Sequence, residues 1–277
     1  MGSSERKRAR ELQIKNWCDR ILLEFNHENY LLTDPISVVH SYSKNEDREL
    51  IAMISALFSF GNVRSIVATL QNKILTPLGE NPLAQLRSLS ERDCVELWRN
   101  TYYRFYSAGD ISFLISSLRR VLLEYETLGA SFQKCWNGDL LPSLSAFRNL
   151  FWSRKKNFTR GSRFMFADPE VGAAKRWHMF LRWMVRHDQI DLGLWPFVPK
   201  SVLIQPLDIH LFEIARHLSL THRKSANLAA ALEITEKLRG WDPVDPIKYD
   251  FALCRIGMLG LKQNIPKFRS SKVASHK

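Results

Sequence analysis

The sequence predicts an all-α protein. In most segments apolar residues recur every three or four positions, which is the spacing of helices that bury one face. No stretch of useful length shows the strict apolar–polar alternation of a half-buried strand. The chain has 277 residues and 45% of them are hydrophobic, so it can bury a sizeable core. A helical protein of one large or two small domains is therefore expected.

The N-terminal part, residues 1–44, is predicted to hold one helix and a linker. Apolar side chains recur at helical spacing through residues 9–26. The following Thr-Asp-Pro predicts a turn, and residues 35–42 are predicted to be a short linker. A helical domain is predicted over residues 45–260. Its first helix, R-E-L-I-A-M-I-S-A-L-F, is apolar on all sides, which is typical of a helix buried in the middle of a domain.

The later helices are predicted from the periodic spacing of apolar residues and from residues that are typical of helix starts. Ser90, followed three residues later by an acid, has the pattern of a capping box, and Asp110 is predicted to cap the next long helix. Residues 261–277 form a basic tail that is predicted to fray. The remaining helices are predicted over residues 63–75, from 82, over 131–136, 144–151, 208–218, 226–238 and 247–257.

The charge points to a polyanionic partner. Forty Lys and Arg residues against 28 Asp and Glu give a net charge of +12. Nucleic acid is the first candidate for such a partner, and a basic surface that only aids solubility is the alternative. The four cysteines are widely spaced and match no metal-binding pattern, so neither a metal nor another cofactor is predicted.

The expected location is the cytoplasm, with association to the nucleoid if the source is bacterial. The basic N-terminus is not followed by the apolar segment of a signal peptide. No segment approaches the roughly 18 uncharged apolar residues that a membrane span needs.

Residues 168–217 hold the candidate site. Lys175 lies in the first turn of a helix, where positive charge is disfavoured, so the neutral and nucleophilic amine is expected. Gly172-Ala173-Ala174 leaves backbone N–H groups uncovered at this helix start, and such groups bind phosphate. Asp208 is predicted to cap a second helix and to orient the amine or accept its proton. The alternative is an ordinary salt bridge between two helix starts.

Two basic or aromatic segments lie outside this pair. Residues 153–163 contain no acid and are predicted either to contact phosphate or to form a solvated loop. The segment T-Y-Y-R-F-Y at residues 101–106 has aromatics that either stack on bases or belong to the core. The basic residues of the first segment selected as DNA contacts are Lys155, Lys156, Arg160 and Arg163.

Two motifs carry a resemblance to a known superfamily. Q-P-L-D-I-H-L-F-E-I-A-R, which contains Asp208, resembles the P-x-D-x-H-x-x-x-I-A segment of the helix-hairpin-helix DNA glycosylases, the group of endonuclease III and 8-oxoguanine DNA glycosylase. P-E-V-G-A-A-K is similar to the hairpin before their catalytic lysine, with one residue more between Gly and Lys. The separation of Lys175 from Asp208 is similar to that in the archaeal 8-oxoguanine branch. The chain also resembles an uncharacterised bacterial family with K-R-x-x-M-F-L-R-W-M-V-R and D-P-x-K-Y-D-F-A-L.

The resemblance implies a two-lobe helix-hairpin-helix glycosylase fold with a degenerate hairpin, whose catalytic region spans residues 153–217. It implies a bifunctional DNA glycosylase and abasic-site lyase of base excision repair. Lys175 would attack C1′ of a flipped nucleotide, and Asp208 would act as the catalytic acid. The partner would be double-stranded DNA with a damaged base, expected to be 8-oxoguanine, bound by a monomer. No iron–sulfur cluster is implied, because the cluster cysteines are absent.

Further residues are predicted to belong to the site. For each of them the alternative interpretation is core packing or another structural role. Met179 follows Lys175 by four residues and therefore shares its helix face, and by similarity it lines the base pocket. Asp250 stands in an apolar segment and needs a partner, which is a purine N–H group, Lys248 or a helix cap. His210 is expected to be structural or to touch a phosphate. The other pocket candidates are Cys254, Phe60 and Asn62.

Other functions stay open. One is a DNA-binding module that has lost catalysis, in which Lys175 only contacts phosphate. Another is a glycosylase for a different damaged base. A third is a basic helical protein that binds RNA, in which case the aromatic segment at residues 101–106 would gain weight.

Overall fold

A computed structural model describes residues 3–152 and 158–266. Across this described part there are fourteen α-helices and no strand, apart from two isolated bridges, which confirms the all-α prediction. The helices are α1 (Ser3–Phe25), α2 (Ile36–His40), α3 (Asn45–Phe58), α4 (Val63–Thr69), α5 (Pro82–Ser88), α6 (Glu91–Glu96), α7 (Ala108–Tyr125), α8 (Leu128–Cys135), α9 (Leu140–Trp152), α10 (Arg160–Met165), α11 (Lys175–Val185), α12 (Ile209–His217), α13 (Leu228–Arg239) and α14 (Asp250–Met258).

Helix α3 is the buried helix that its apolar sequence predicts. It packs against α2, α5, α8 and α11. Glu49 on α3 is buried, and its carboxylate accepts hydrogen bonds from the Gly129 N–H at 2.8 Å and the Trp195 indole N–H at 2.8 Å. A Cβ atom on Gly129 would lie 2.7 Å from this carboxylate, so a larger residue at that position would displace the Glu49 side chain. Burial raises the pKa of Glu49.

Helix α11 carries an ionic network along its buried length. Arg182 is 2% exposed and pairs with Asp191 at 3.1 Å and with Asp250. Arg186 is 4% exposed and pairs with Asp191 and with Asp245, the latter at 3.0 Å. Buried charges need such partners, because an unpaired ion in the interior costs several kcal/mol. The network ties α11 to the loop after it and to α14.

Helix α14 packs against α1 and α12. The Tyr249 hydroxyl just before α14 donates to Asp19 on α1 at 2.6 Å, and Arg255 on α14 pairs with Asp34 at 2.8 Å. The apolar face of α1 contributes to the same hydrophobic cluster as the later helices.

The linker prediction for residues 35–42 was wrong, because this segment contains α2. Its side chains Ile36, Val38 and Val39 are buried, and the Asp34 carboxylate accepts the Ile36 N–H at 3.1 Å. Proline is compatible with the start of a helix, since its fixed φ angle suits the first turn.

Most helix boundaries differ from prediction by a few residues, and two of these differences have a clear local cause. Ser90 caps α6 through a capping box, as predicted, but the N-cap of α7 is Ser107, and Asp110 is the third residue of that helix, where it completes the capping box. The helix predicted over residues 63–75 continues from α4 as a π turn at Leu70–Ile74. The basic tail predicted to fray, residues 261–277, begins with a 3₁₀ turn at Leu261–Asn264, and its residues 267–277 lie outside the described residues.

Within residues 3–152 and 158–266 no helix combines the length and the apolar character that a membrane span requires.

Candidate functional site

Two helix starts bring Lys175 and Asp208 together. Lys175 is the first residue of α11, and Asp208 is the N-cap of α12, where its carboxylate accepts the Leu211 N–H at 2.8 Å. The Lys175 Nζ atom lies 3.1 Å from the Asp208 Oδ2 atom, and the two side chains are 30% and 27% exposed. The cap bond fixes the carboxylate, while the exposure leaves the pair open to a ligand from one side.

The charges of this pair differ from the expectation of a neutral amine. Burial alone would lower the pKa of Lys175, but the nearby carboxylates, with Asp208 foremost, hold that pKa above its usual value. Burial works to raise the pKa of Asp208, yet Lys175 and the Leu211 N–H hold it below the usual range. At neutral pH the pair is an ammonium and a carboxylate. The prediction of a neutral amine was wrong because the Asp208 carboxylate lies 3.1 Å from the amine and favours its charged form.

The turn before Lys175 has strained backbone at an unexpected residue. Ala174 has φ 37 and ψ 42, which is left-handed geometry that residues with a Cβ atom rarely adopt. The Gly172 N–H donates to the Asp168 carbonyl at 2.9 Å. It is therefore engaged within the turn, contrary to the expectation that the N–H groups of Gly172, Ala173 and Ala174 are all left for phosphate. Backbone strain of this kind persists where surrounding structure enforces it, and it clusters at functional sites.

Asp250 lies at the start of α14 and is 2% exposed. Its carboxylate accepts hydrogen bonds from the Arg182 guanidinium and the Gln205 side-chain amide. Neither of the protein partners expected from the sequence is used, because Lys248 pairs with Asp242 at 2.8 Å instead. Burial raises the pKa of Asp250, and Arg182 opposes that rise.

Of the predicted pocket residues, Cys254 interacts electrostatically with the Lys175–Asp208 pair, and Met179 shares a helix face with Lys175. The half-buried Cys254 is one turn after Asp250, and its thiol and the Lys175 amine each shift the pKa of the other. Burial, then Asp250 and Asp208, raise the pKa of Cys254 well above its usual value, so the thiol is protonated. Met179 is 6% exposed and lies on the α11 face that begins at Lys175.

Three residues that sequence reasoning did not select belong to the same region. Arg182 and Gln205 reach it through Asp250, and His178 lies between Lys175 and Arg182 on α11. Each of the three is buried and has a polar atom that, within the described residues, lacks a hydrogen-bond partner. The spacing of seven residues between Lys175 and Arg182 was the available signal. The unpartnered atoms are Arg182 Nη2, Gln205 Oε1 and both ring nitrogens of His178.

His178 predicts a specific dependence of stability on pH. Burial lowers its pKa from 6.5 to about 4, so the folded protein keeps the ring neutral while the unfolded chain takes up a proton below pH 6.5. The free energy of unfolding should therefore fall as the pH is lowered from 6.5 towards 4, by about 3 kcal/mol through this group. Chemical unfolding across that range measures the effect. His178→Phe should flatten the profile by that amount, and an unchanged profile would contradict a buried neutral ring.

The other predicted site residues lie away from the Lys175–Asp208 pair or have a structural role. Phe60 packs in an aromatic cluster with Tyr103, Tyr106 and Phe164, and the exposed Asn62 caps α4. Arg160 and Arg163 are exposed on α10, His210 is exposed on α12, and Lys155 and Lys156 lie outside the described residues.

No metal site accompanies these residues in the described part of the chain, where no three His, Cys, Asp or Glu side chains are grouped to hold an ion. The reactive groups of the candidate site are an amine, a carboxylate and a set of buried polar groups.

Comparison with known proteins gives one finding. A family model described as "Protein of unknown function (DUF2400)" matches residues 34–259. The matched range begins just before α2, ends just after α14 and includes Lys175 and Asp208. No curated protein matches the chain, and no solved structure matches it.

Proposed function

We propose that this chain, which belongs to the DUF2400 family, is a bifunctional DNA glycosylase and abasic-site lyase. Its nucleophile is Lys175. The fold proposed with this activity is the two-lobe helix-hairpin-helix arrangement with a degenerate hairpin. The substrate is double-stranded DNA containing an oxidised purine, with 8-oxoguanine as the first candidate. The protein acts as a monomer in DNA base excision repair.

The observation that carries the proposal is the Lys175–Asp208 pair. The amine and the carboxylate are 3.1 Å apart, which is within proton-transfer distance. The two side chains are 30% and 27% exposed, so a substrate can reach them. The carboxylate is oriented by its cap bond to Leu211, so it keeps its position when the lysine moves to bond the substrate. A net charge of +12 favours a DNA partner.

The proposed reaction begins with a proton transfer, because the resting amine is an ammonium. A nucleotide flipped into the site excludes water, and Asp208 accepts the proton from Lys175. The Nζ atom then forms a bond to C1′, the C1′–N bond to the base breaks, and the base leaves with the bonding electrons and takes up a proton. Ring opening yields a Schiff base at C1′. Loss of a proton from C2′ then expels the 3′ phosphate, which cuts the strand.

The buried polar groups beside the pair suit recognition of a purine. A purine edge offers both donors and acceptors, and the unpartnered Gln205 Oε1 and Arg182 Nη2 atoms are an acceptor and a donor. A buried polar atom without a partner costs about 1–3 kcal/mol, so a ligand that bonds both atoms would gain affinity from their satisfaction. Met179 and Cys254 would supply apolar contact to the ring.

A second candidate is a DNA-binding module without catalysis. The observation in its favour is the raised pKa of Lys175. Burial would lower this pKa, but Asp208 raises it and so keeps the lysine charged. A charged lysine at a helix start binds phosphate but does not attack C1′. The two functions differ in whether a covalent intermediate forms.

Borohydride trapping tests the proposal. Wild-type protein and Lys175→Gln are each incubated with a duplex containing one 8-oxoguanine and with a duplex containing a plain abasic site. The proposal expects a covalent adduct of the wild type on both duplexes and none for the variant. Trapping on the abasic duplex alone would support the lyase activity and would indicate that the substrate base is a damaged base other than 8-oxoguanine. Tight binding to both duplexes without any adduct would establish the second candidate.

A further inference from the structure

A basic and aromatic surface lies beside the start of α11. Three segments meet there: residues 60–75, 101–109 and 158–167. Phe60 packs against Tyr103, Phe105 and Phe164 with ring centroids about 5 Å apart, at 5.0, 5.1 and 4.9 Å, which joins one residue of the first segment to the other two. We call the outward-facing part of this cluster the aromatic–arginine surface. It consists of Tyr102, Arg104, Phe158, Arg160, Arg163 and Phe164.

Large rings are exposed on this surface. Tyr102 is 67% exposed, Phe158 is 45% exposed and Phe164 is 38% exposed. Inner rings of the same cluster, Tyr103 and Tyr106, are buried and donate hydrogen bonds from their hydroxyls to backbone carbonyls of residues 60 and 57. The cluster therefore has a rigid inner layer and an outer layer of rings that water now covers.

Every charged residue of the three segments is basic. The three segments contain no Asp or Glu. An acid directly follows the second segment and another directly follows the third. Asp110 is 1% exposed and accepts hydrogen bonds from Ser107 and Thr159. Asp168 pairs with Arg148 at 3.7 Å. The basic residues of the three segments are Arg64, Lys73, Arg104, Arg160 and Arg163.

The cations lie over the rings. The Arg160 guanidinium is 4.8 Å from the Phe105 centroid, that of Arg163 is 5.5 Å from the Phe158 centroid, and the Lys73 amine is 5.4 Å from the Tyr102 centroid. These contacts hold long basic side chains near the rings, where each can reach a phosphate while a base occupies the open ring face.

Arg104 is presented by a tight turn. The N–H groups of Tyr103 and Tyr106 each donate to the carbonyl of the other, at 3.0 and 2.8 Å, and Arg104 between them has a φ angle of 53°. Its guanidinium lies 5.7 Å from the Phe60 centroid. A Cβ atom on Gly61 would lie 2.9 Å from the Arg104 Nη1 atom, so glycine at position 61 allows this placement.

We propose that the aromatic–arginine surface binds single-stranded DNA, with the exposed rings stacking on unpaired bases and the arginines bonding the phosphates. Alternating rings and cations without acids are the features by which proteins hold single strands, because every base has a π face and every nucleotide a negative charge. A duplex hides its base faces and would use only the arginines.

The choice of DNA rests on the proposed function, through the position of Arg176. This residue follows Lys175, donates hydrogen bonds to the Tyr106 hydroxyl at 3.0 Å and to the Phe164 carbonyl, and its guanidinium lies 3.5 Å from the Phe164 centroid. The surface is thus attached directly to the first turn of α11. Nucleotides unpaired around a base bound at Lys175 would reach it along the strand.

Fluorescence anisotropy with a short labelled oligothymidine tests the proposal. We expect Tyr102→Leu to weaken binding by about tenfold and Tyr102→Phe to bind as the wild type does, because only the ring is needed. Arg104→Ala should weaken binding and reduce the slope of log affinity against log salt by about 0.7, since one phosphate contact is lost. Arg223→Ala, which removes an exposed arginine paired with Glu233, is the matched control and should change neither the affinity nor the slope by a comparable amount.

Each outcome has one meaning. Wild-type affinity in Tyr102→Leu and Arg104→Ala, or no binding by the wild type at low salt, would overturn the proposal. Tighter binding to an RNA strand of matched sequence than to the DNA strand would overturn the assignment to DNA. The Lys175→Gln variant should still bind the strand. Failure of the wild type to form a covalent adduct, with its strand binding intact, would count against the glycosylase alone, whereas adduct formation without strand binding would count against the surface alone.

Discussion

Replacing Asp208 with asparagine is expected to reduce release of the damaged base by about 10²- to 10⁴-fold, the usual contribution of a positioned acid–base group. The side chain keeps its size, but it can no longer accept the proton of Lys175 or stabilise positive charge on the sugar. The measurement is single-turnover release of the base from a duplex with one 8-oxoguanine.

The same variant should behave differently on a plain abasic site. Without the Asp208 carboxylate, Lys175 loses the main interaction that raises its pKa against burial, so this pKa falls and more of the amine is free at neutral pH. Schiff-base trapping on the abasic aldehyde should therefore persist. Loss of both activities to the same extent would show that Asp208 only holds the lysine in place.

Stability controls separate chemistry from capping. Asparagine caps helices about as well as aspartate, so Asp208→Asn should keep the bond to the Leu211 N–H and the capping contribution to stability. Asp208→Ala loses the cap as well and should be about 1 kcal/mol less stable. Base release by Asp208→Asn within about threefold of the wild-type rate would contradict the assigned role.

Replacing Arg182 with leucine should lower the free energy of unfolding by about 3–5 kcal/mol, the usual cost of removing one partner from a buried ion pair. Its guanidinium lies between Asp191 and Asp250, and both carboxylates are 3% exposed or less. Burial already raises the pKa of Asp191 to about 6 against the pull of its two arginines. The midpoint of urea denaturation measures the loss.

Arg99→Ala is the matched control for Arg182→Leu. Arg99 pairs with Glu96 at 2.9 Å, but the two side chains are 66% and 52% exposed. Its loss should change stability by no more than about 0.5 kcal/mol, because exposed pairs are screened by water. A loss below about 1 kcal/mol for Arg182→Leu would indicate that a carboxylate takes up a proton in place of the missing partner.

The fold class followed from periodicity because most of the helices described here bury one face, whereas α3 and α11 are buried on nearly all sides. Short elements were harder to predict. Helix α2 has five residues, too few for a periodic pattern, and a nearby proline favoured the linker interpretation. The cap of α7 was misassigned because Ser107 and Asp110 both suit a helix start, and only the observed bonds show which residue is the N-cap.

The candidate site was predictable at its centre and not at its edges. The sequence indicated Lys175 and the capping role of Asp208 because helix starts leave local signals. It did not reveal Gln205, which lies in an extended segment and reaches the site by a contact with Asp250 across 45 residues of sequence. The charge of Lys175 was also beyond local reasoning, since it depends on how closely the two helix starts approach.

The most direct test of the central claim is to locate the trapped bond. After borohydride reduction on an abasic duplex, the adduct is digested and the modified peptide is identified by mass spectrometry. The proposed function predicts the reduced sugar on the peptide that contains Lys175, and no modified peptide in Lys175→Gln. A modification on another lysine, with equal yield in the variant, would contradict the assignment of Lys175 as the nucleophile.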